Sequence, residues 1–78
     1  MNNDYEILSH ERVRDIVSRI LERGKEARQE SNTNKDDEFE KGRALAYYEV
    51  ADILQSELRL DGDLKDFGLD IDLFEVLM

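Results

Sequence analysis

Two segments of this chain carry small and apolar residues at the same helical spacing, in mirror-image order about Thr33. Both segments follow steps of 3, 4, 4 and 3 residues. The first set consists of Val13, Ile16, Ile20, Gly24 and Ala27, and the second of Phe39, Gly42, Ala46, Val50 and Ile53. Such steps place side chains on one face of an α-helix. The pattern therefore predicts two antiparallel helices joined by a turn centred on Thr33, with Gly24 level with Gly42.

Capping residues indicate where the first helix begins and ends. Asp4 or Ser9 can accept the backbone N–H bonds that open a helix, which we predict over about residues 5–30. The polar run Ser31-Asn32-Thr33-Asn34 bonds readily to its own backbone and favours a turn, predicted over residues 31–35.

The second helix is predicted over about residues 36–60, with Thr33 or Asn34 as its cap. The helix dipole favours negative charge in the first turn. Three acids stand there, namely Asp36, Asp37 and Glu38.

The apolar stripe of this second helix is wider than one partner helix covers. Phe39, Ala46, Ile53 and Leu60 recur every seven residues. Four further residues broaden the stripe, namely Tyr47, Ala51, Leu54 and Leu58. A stripe of this width requires a second surface. The tail, residues 61–78, is half apolar and can supply it, either by folding back on its own hairpin or from a second copy.

Local signals in the tail favour short helical segments. Asp63 can cap a helical turn that ends at Gly68 in the C′ position. The strict alternation over residues 69–73 is typical of a strand, whereas Asp70 or Asp72 can equally cap a last helix. We favour a helix, because a lone strand has nothing to pair with.

The predicted fold is therefore all-α and a single domain over residues 1–78. It is an antiparallel helical hairpin with a short C-terminal helical segment. Two helices alone do not enclose a core, so we expect a homodimer in which two hairpins form a four-helix bundle.

The charge of the chain bears on its partners. The net charge is −9, and the tail holds six acids against Lys65 alone, a net of −5. An acidic chain is repelled by phosphate backbones and anionic membranes. Arg12, Arg19 and Arg23 share a helix face, but interleaved acids make it typical of a salt-bridged solvent face. We expect no direct nucleic-acid or membrane binding, and a cytoplasmic location, since no basic leader or long apolar run is present.

Residues that could catalyse a reaction or bind a metal are few. The chain has no Cys, and His10 is its only imidazole, which we interpret as a solvated polar residue. A calcium loop starting at Asp61 would need Gly and Glu where the chain has Asp66 and Asp72. We therefore expect no catalytic, cofactor or metal site and no enzymatic activity.

The run from Gly42 to Val50 (GRALAYYEV) and the later Phe67-Gly68-Leu69 resemble small acidic helical proteins of Gram-positive bacteria and their mobile elements. The resemblance covers about half of the chain. It implies a bacterial cytoplasmic protein, and no functional residues follow from it.

These observations predict a small non-enzymatic interaction or regulatory protein. Bulky apolar and aromatic residues dominate protein interfaces. The candidate interface residues are Tyr47, Tyr48, Leu54, Leu58, Phe67 and Phe74. The alternative is an acidic inhibitor, a nucleic-acid mimic or an immunity-type protein that binds a basic partner through the tail.

Overall fold

The computed structural model describes residues 8–78, which form two long helices and a folded tail. Helix α1 spans His10–Thr33 and helix α2 spans Glu38–Leu58. A 3₁₀ turn at Leu64–Phe67 and the short helix α3 at Leu73–Leu77 pack on this hairpin. No strand occurs within residues 8–78. The predicted all-α hairpin with a short C-terminal helical segment is confirmed.

Helix α1 begins after a predicted cap and ends later than predicted. The Ser9 hydroxyl accepts a bond from the Arg12 backbone N–H at 3.0 Å, as expected of an N-cap. The alternative cap Asp4 and the predicted start near residue 5 lie outside the described residues. The Thr33 hydroxyl donates to the Gln29 carbonyl at 2.9 Å, a bond that a helical backbone accommodates. The helix therefore continues through the polar run that was expected to form the turn.

The turn occupies residues 34–37, and its last residue caps α2. The Asn34 amide donates to the Glu30 carbonyl at 2.9 Å and closes α1. The Asp37 carboxylate accepts from the Phe39 and Glu40 amides at 3.0 and 3.3 Å. The predicted caps Thr33 and Asn34 are therefore wrong, because these residues complete the first helix instead.

The hairpin is paired in a different register from the mirrored pattern. The Cβ of Tyr47 lies 3.2 Å from where a Cβ on Gly24 would stand, whereas nothing lies within 4 Å of the corresponding point on Gly42. Gly24 is thus level with Tyr47, not with Gly42. The face of α2 that meets α1 carries Tyr47, Ala51 and Leu54, and the predicted face points to solvent. The stripe of α2 that was predicted to meet α1 is therefore exposed, and the stripe that was predicted to need a second surface meets α1.

The two glycines give a matched test of this register. Gly24→Ala would bring a methyl group to 2.9 Å from the Leu77 Cδ2 and is expected to destabilise the fold by about 1–3 kcal/mol. Gly42→Ala meets open space and is expected to stabilise it by about 0.5–1 kcal/mol through helix propensity. Urea unfolding followed by circular dichroism measures both. Equal effects at the two positions would contradict the register.

The tail folds back on its own hairpin, which decides between the two sources of the second surface. Asp63 and Asp72 cap the 3₁₀ turn and α3, and Gly68 ends the former at a positive φ of 73°. These are the predicted caps and C′ glycine. The buried residues of the tail join those of the hairpin in one core. They are Phe67, Leu69, Leu73 and Leu77.

Gln55 on α2 holds the extended part of the tail. Its side-chain amide donates to the Leu69 and Ile71 carbonyls at 3.0 and 3.1 Å. Gln55→Glu removes both donors and sets a carboxylate against two carbonyl oxygens, so we expect a loss of about 1–3 kcal/mol in unfolding free energy. Gln29→Glu, which adds the same charge at an exposed position, is the control. Equal urea midpoints for the two variants would contradict this role.

Candidate interaction surface

An apolar stripe on α2 remains uncovered after the hairpin and tail have packed. Phe39 is 73% exposed, Ile53 62% and Val50 44%, and Gly42 and Ala46 between them are also exposed. These residues follow the 3, 4, 4 and 3 spacing that the sequence assigned to the hairpin contact. The stripe is thus a continuous helix face without a partner among residues 8–78.

The stripe lies on the side of the hairpin opposite the tail. On α2 the tail contacts Tyr48 and Gln55, and Val50 is about 160° around the helix from Tyr48. On α1 the Arg14 guanidinium lies 3.9 Å from the Cβ position of Gly68 in the tail. Ile16 is likewise about 160° from Arg14.

We call this side the open face. Its apolar residues on α2 are those of the stripe, and α1 adds Ile16, which is 40% exposed, and the half-buried Ile20. The Cα atoms span only 15 Å in the thinnest direction, about the thickness of one helix layer with the tail laid against it. Within the described residues, one side of the hairpin is therefore covered and the other is bare.

Charged residues border the open face in a pattern that differs between the two helices. On α1 the N-terminal half is basic and the C-terminal half acidic. On α2 an arginine stands near the turn and two glutamates stand further along. This charged rim consists of Arg12, Arg19, Arg23, Glu26 and Glu30 on α1, and Arg43, Glu49 and Glu57 on α2. Of the rim residues, Arg43 forms an ion pair within its own helix, with Glu40 at 3.5 Å.

The predicted interface residues are distributed over three environments. Tyr48 and Phe74 form an edge-to-face pair with ring centres 6.2 Å apart, and Phe74 is 64% exposed. Tyr47 stands against Gly24 between the helices. Leu54 and Leu58 are half-buried against the core. Phe67 is 1% exposed and belongs to the core of the chain. The structure therefore brings together only Tyr48 and Phe74 as a surface pair.

The residues of the open face were not among the predicted interface residues, because their spacing predicted a contact between α1 and α2 instead. The signal that separates the stripes is the width of the pattern on α2. Two stripes on one helix cannot both meet a single antiparallel partner.

The residues that could catalyse a reaction or bind a metal ion occupy ordinary structural positions. The ring of the exposed His10 packs against Phe67 in a tilted arrangement, with ring centres 4.9 Å apart and 59° between the ring planes. The neighbouring Ser9 serves as the N-cap of α1. Among residues 8–78, His, Asp and Glu side chains form no group of three suited to a metal ion. No helix in the described part of the chain is both long and apolar enough to cross a membrane.

Comparisons with known proteins add no relative. No protein-family model matches the chain, and neither the curated proteins nor the solved structures include a significant match. The open face and its charged rim are therefore interpreted from their own geometry.

Proposed function

We propose that this chain is a small, non-enzymatic, cytoplasmic interaction protein that acts as a homodimer through its open face. The observation that carries the proposal is the uncovered stripe on α2, whose largest members are Phe39 and Ile53. Exposed apolar residues in a continuous patch mark interaction sites on proteins. Packing two hairpins face to face forms a four-helix bundle, which buries both faces.

The size of the open face suits a second copy. From the exposed fractions of Phe39, Ile53, Val50 and Ile16, the apolar area is on the order of 400 Å². Because little more than half of an interface is apolar, this corresponds to about 700 Å² per chain. Stable interfaces bury about 800 Å² per partner. A face slightly below this size supports a homodimer of modest affinity.

Nuclear magnetic resonance can map the contact directly. We expect amide resonances of Ile16, Ala46 and Val50 to move as the concentration rises from about 10 μM to about 1 mM, the range in which weak dimers form. Resonances of Leu64 and Ile71 in the tail are expected to stay in place. Movement confined to the tail, or none at all, would contradict a dimer through the open face.

A second candidate function is binding to a basic partner through the tail. The supporting observation is that all six of its acidic residues are exposed, while its buried residues are apolar. Such binding would weaken steeply with salt. The variant Asp66→Asn with Asp70→Asn should then lose more affinity for poly-lysine than the control Glu22→Gln with Asp36→Asn. Equal losses would remove this candidate, because they would reflect net charge alone.

A further inference from the structure

The register of the hairpin fixes which charges of the rim stand at the same height. Gly24 is level with Tyr47, and both helices rise by about 1.5 Å per residue. Each step back along α1 is therefore matched by a step forward along α2. By this correspondence, Glu49 is level with position 22, between Arg19 and Arg23.

The remaining charges follow the same correspondence. Glu57 is level with position 14, between Arg12 and Ile16. Arg43 is level with Arg28, between Glu26 and Glu30 on the open side. At each of these three levels, the rim of α1 thus carries the charge opposite to that of α2.

From this complementarity we infer that the two copies pack with their two-fold axis parallel to the helices, so that α1 of each copy covers α2 of the other. The inference rests on the proposed homodimer and specifies its geometry. In this arrangement both turns lie at the same end of the bundle, and equal levels face each other. Arg19 and Arg23 then flank Glu49 of the second copy. The aliphatic stems of the arginines cover the apolar stripe.

The alternative face-to-face arrangement brings like charges together. If the axis runs across the helices, α1 faces α1 and α2 faces α2 in antiparallel order. With the axis at the level of position 21, Arg19 then faces Arg23 of the second copy, and Glu49 lies only about 3 Å in height from its own equivalent. Towards the ends, Arg12 faces Glu30 and Arg43 faces Glu57, so this arrangement mixes like and opposite charges. Like charges across an interface are unfavourable. The charged rim favours the parallel axis, because that arrangement pairs opposite charges at all three levels.

A pair of charge-reversal variants tests this geometry. Arg23→Glu and Glu49→Lys are each expected to weaken their own homodimer roughly tenfold, because each places two like-charged pairs across the interface. When the two variants are mixed, one chain's glutamate 23 meets the other chain's lysine 49 and the second contact is unaltered. The mixture should therefore form heterodimers with an affinity near that of the unaltered chain. Native mass spectrometry distinguishes all three species, since the variants differ in mass.

The outcomes separate the geometry from the proposed dimer itself. A wild-type dimer whose affinity is unaffected by either variant, or is strengthened by Arg23→Glu, would overturn the parallel axis and leave the homodimer in place. A wild-type chain that stays monomeric would overturn both. Lys25→Glu, which changes charge outside the rim, is the control and is expected to leave the dimer unchanged. Recovery on mixing supports the inference, because the alternative geometry does not place positions 23 and 49 together.

Discussion

Val50→Asp is expected to abolish self-association while leaving the hairpin folded. Val50 lies in the middle of the open face, so the dimer would bury two carboxylates against apolar surface. Burying an unpaired polar or charged group costs several kcal/mol, which corresponds to a loss of affinity of at least about 100-fold. Within one chain the side chain at this position is exposed to water, so the fold should tolerate the change. Sedimentation velocity measures the association, and circular dichroism measures the helix content.

Leu45→Asp is the matched control for this variant. Leu45 and Val50 are both 44% exposed and both lie on α2. They stand about 140° apart around the helix, so only Val50 belongs to the open face. Leu45→Asp should retain the dimer. Equal loss of association in both variants would indicate a general effect of added charge and would argue against the open face.

The second large effect is expected in the core of the single chain. Phe67→Ala should lower the unfolding free energy by about 3–5 kcal/mol, because it removes a fully buried aromatic ring and leaves a cavity. Phe74→Ala, at a position that is 64% exposed, should lower it by less than about 1 kcal/mol. Urea unfolding at equal protein concentration measures both values.

The comparison of these two phenylalanines tests where the tail packs. If Phe67→Ala is unfolded without urea, the milder Phe67→Leu should still fold and lose about 1–2 kcal/mol. Equal, small effects at Phe67 and Phe74 would mean that the tail does not form part of the core. A large loss of unfolding free energy at Phe74 alone would mean that Phe74, and not Phe67, is the buried ring.

Much of the local structure could be predicted from the sequence, because it depends on short-range chemistry. Ser9, Asp63 and Asp72 each bond to a backbone amide within three residues, and Gly68 supplies a positive φ that other residues avoid. Such features need no knowledge of the rest of the fold. The helix at the end of the tail was predicted on different grounds, because a lone strand would have nothing to pair with.

The pairing of the helices could not be derived in the same way. Ser31, Asn32 and Thr33 are neutral enough in a helix that α1 extends through them, which moves the turn by a few residues. Because of this displacement, the stripe that was predicted to face α1 faces solvent, and the other stripe of α2 faces α1. Since both stripes are apolar, periodicity alone does not distinguish them. The spacing of the candidate surface could therefore be read from the sequence, but the sequence did not indicate that this stripe faces solvent and not α1.

The covered and bare sides of the hairpin follow from the same exchange. Tyr47, Ala51 and Leu54 meet α1, while the tail occupies the side of Tyr48 and Gln55. The stripe that the spacing assigned to a contact within the chain is exposed instead, and the proposed homodimer places it between two chains.

Sedimentation equilibrium of the unaltered chain over a series of concentrations tests the proposed homodimer most directly. A homodimer predicts that the mass rises with concentration from the 9.2 kDa of one chain to twice that value. Under the same conditions Val50→Asp should remain at the mass of one chain. A mass of 9.2 kDa for the unaltered chain up to about 1 mM, where even weak dimers form, would contradict the homodimer.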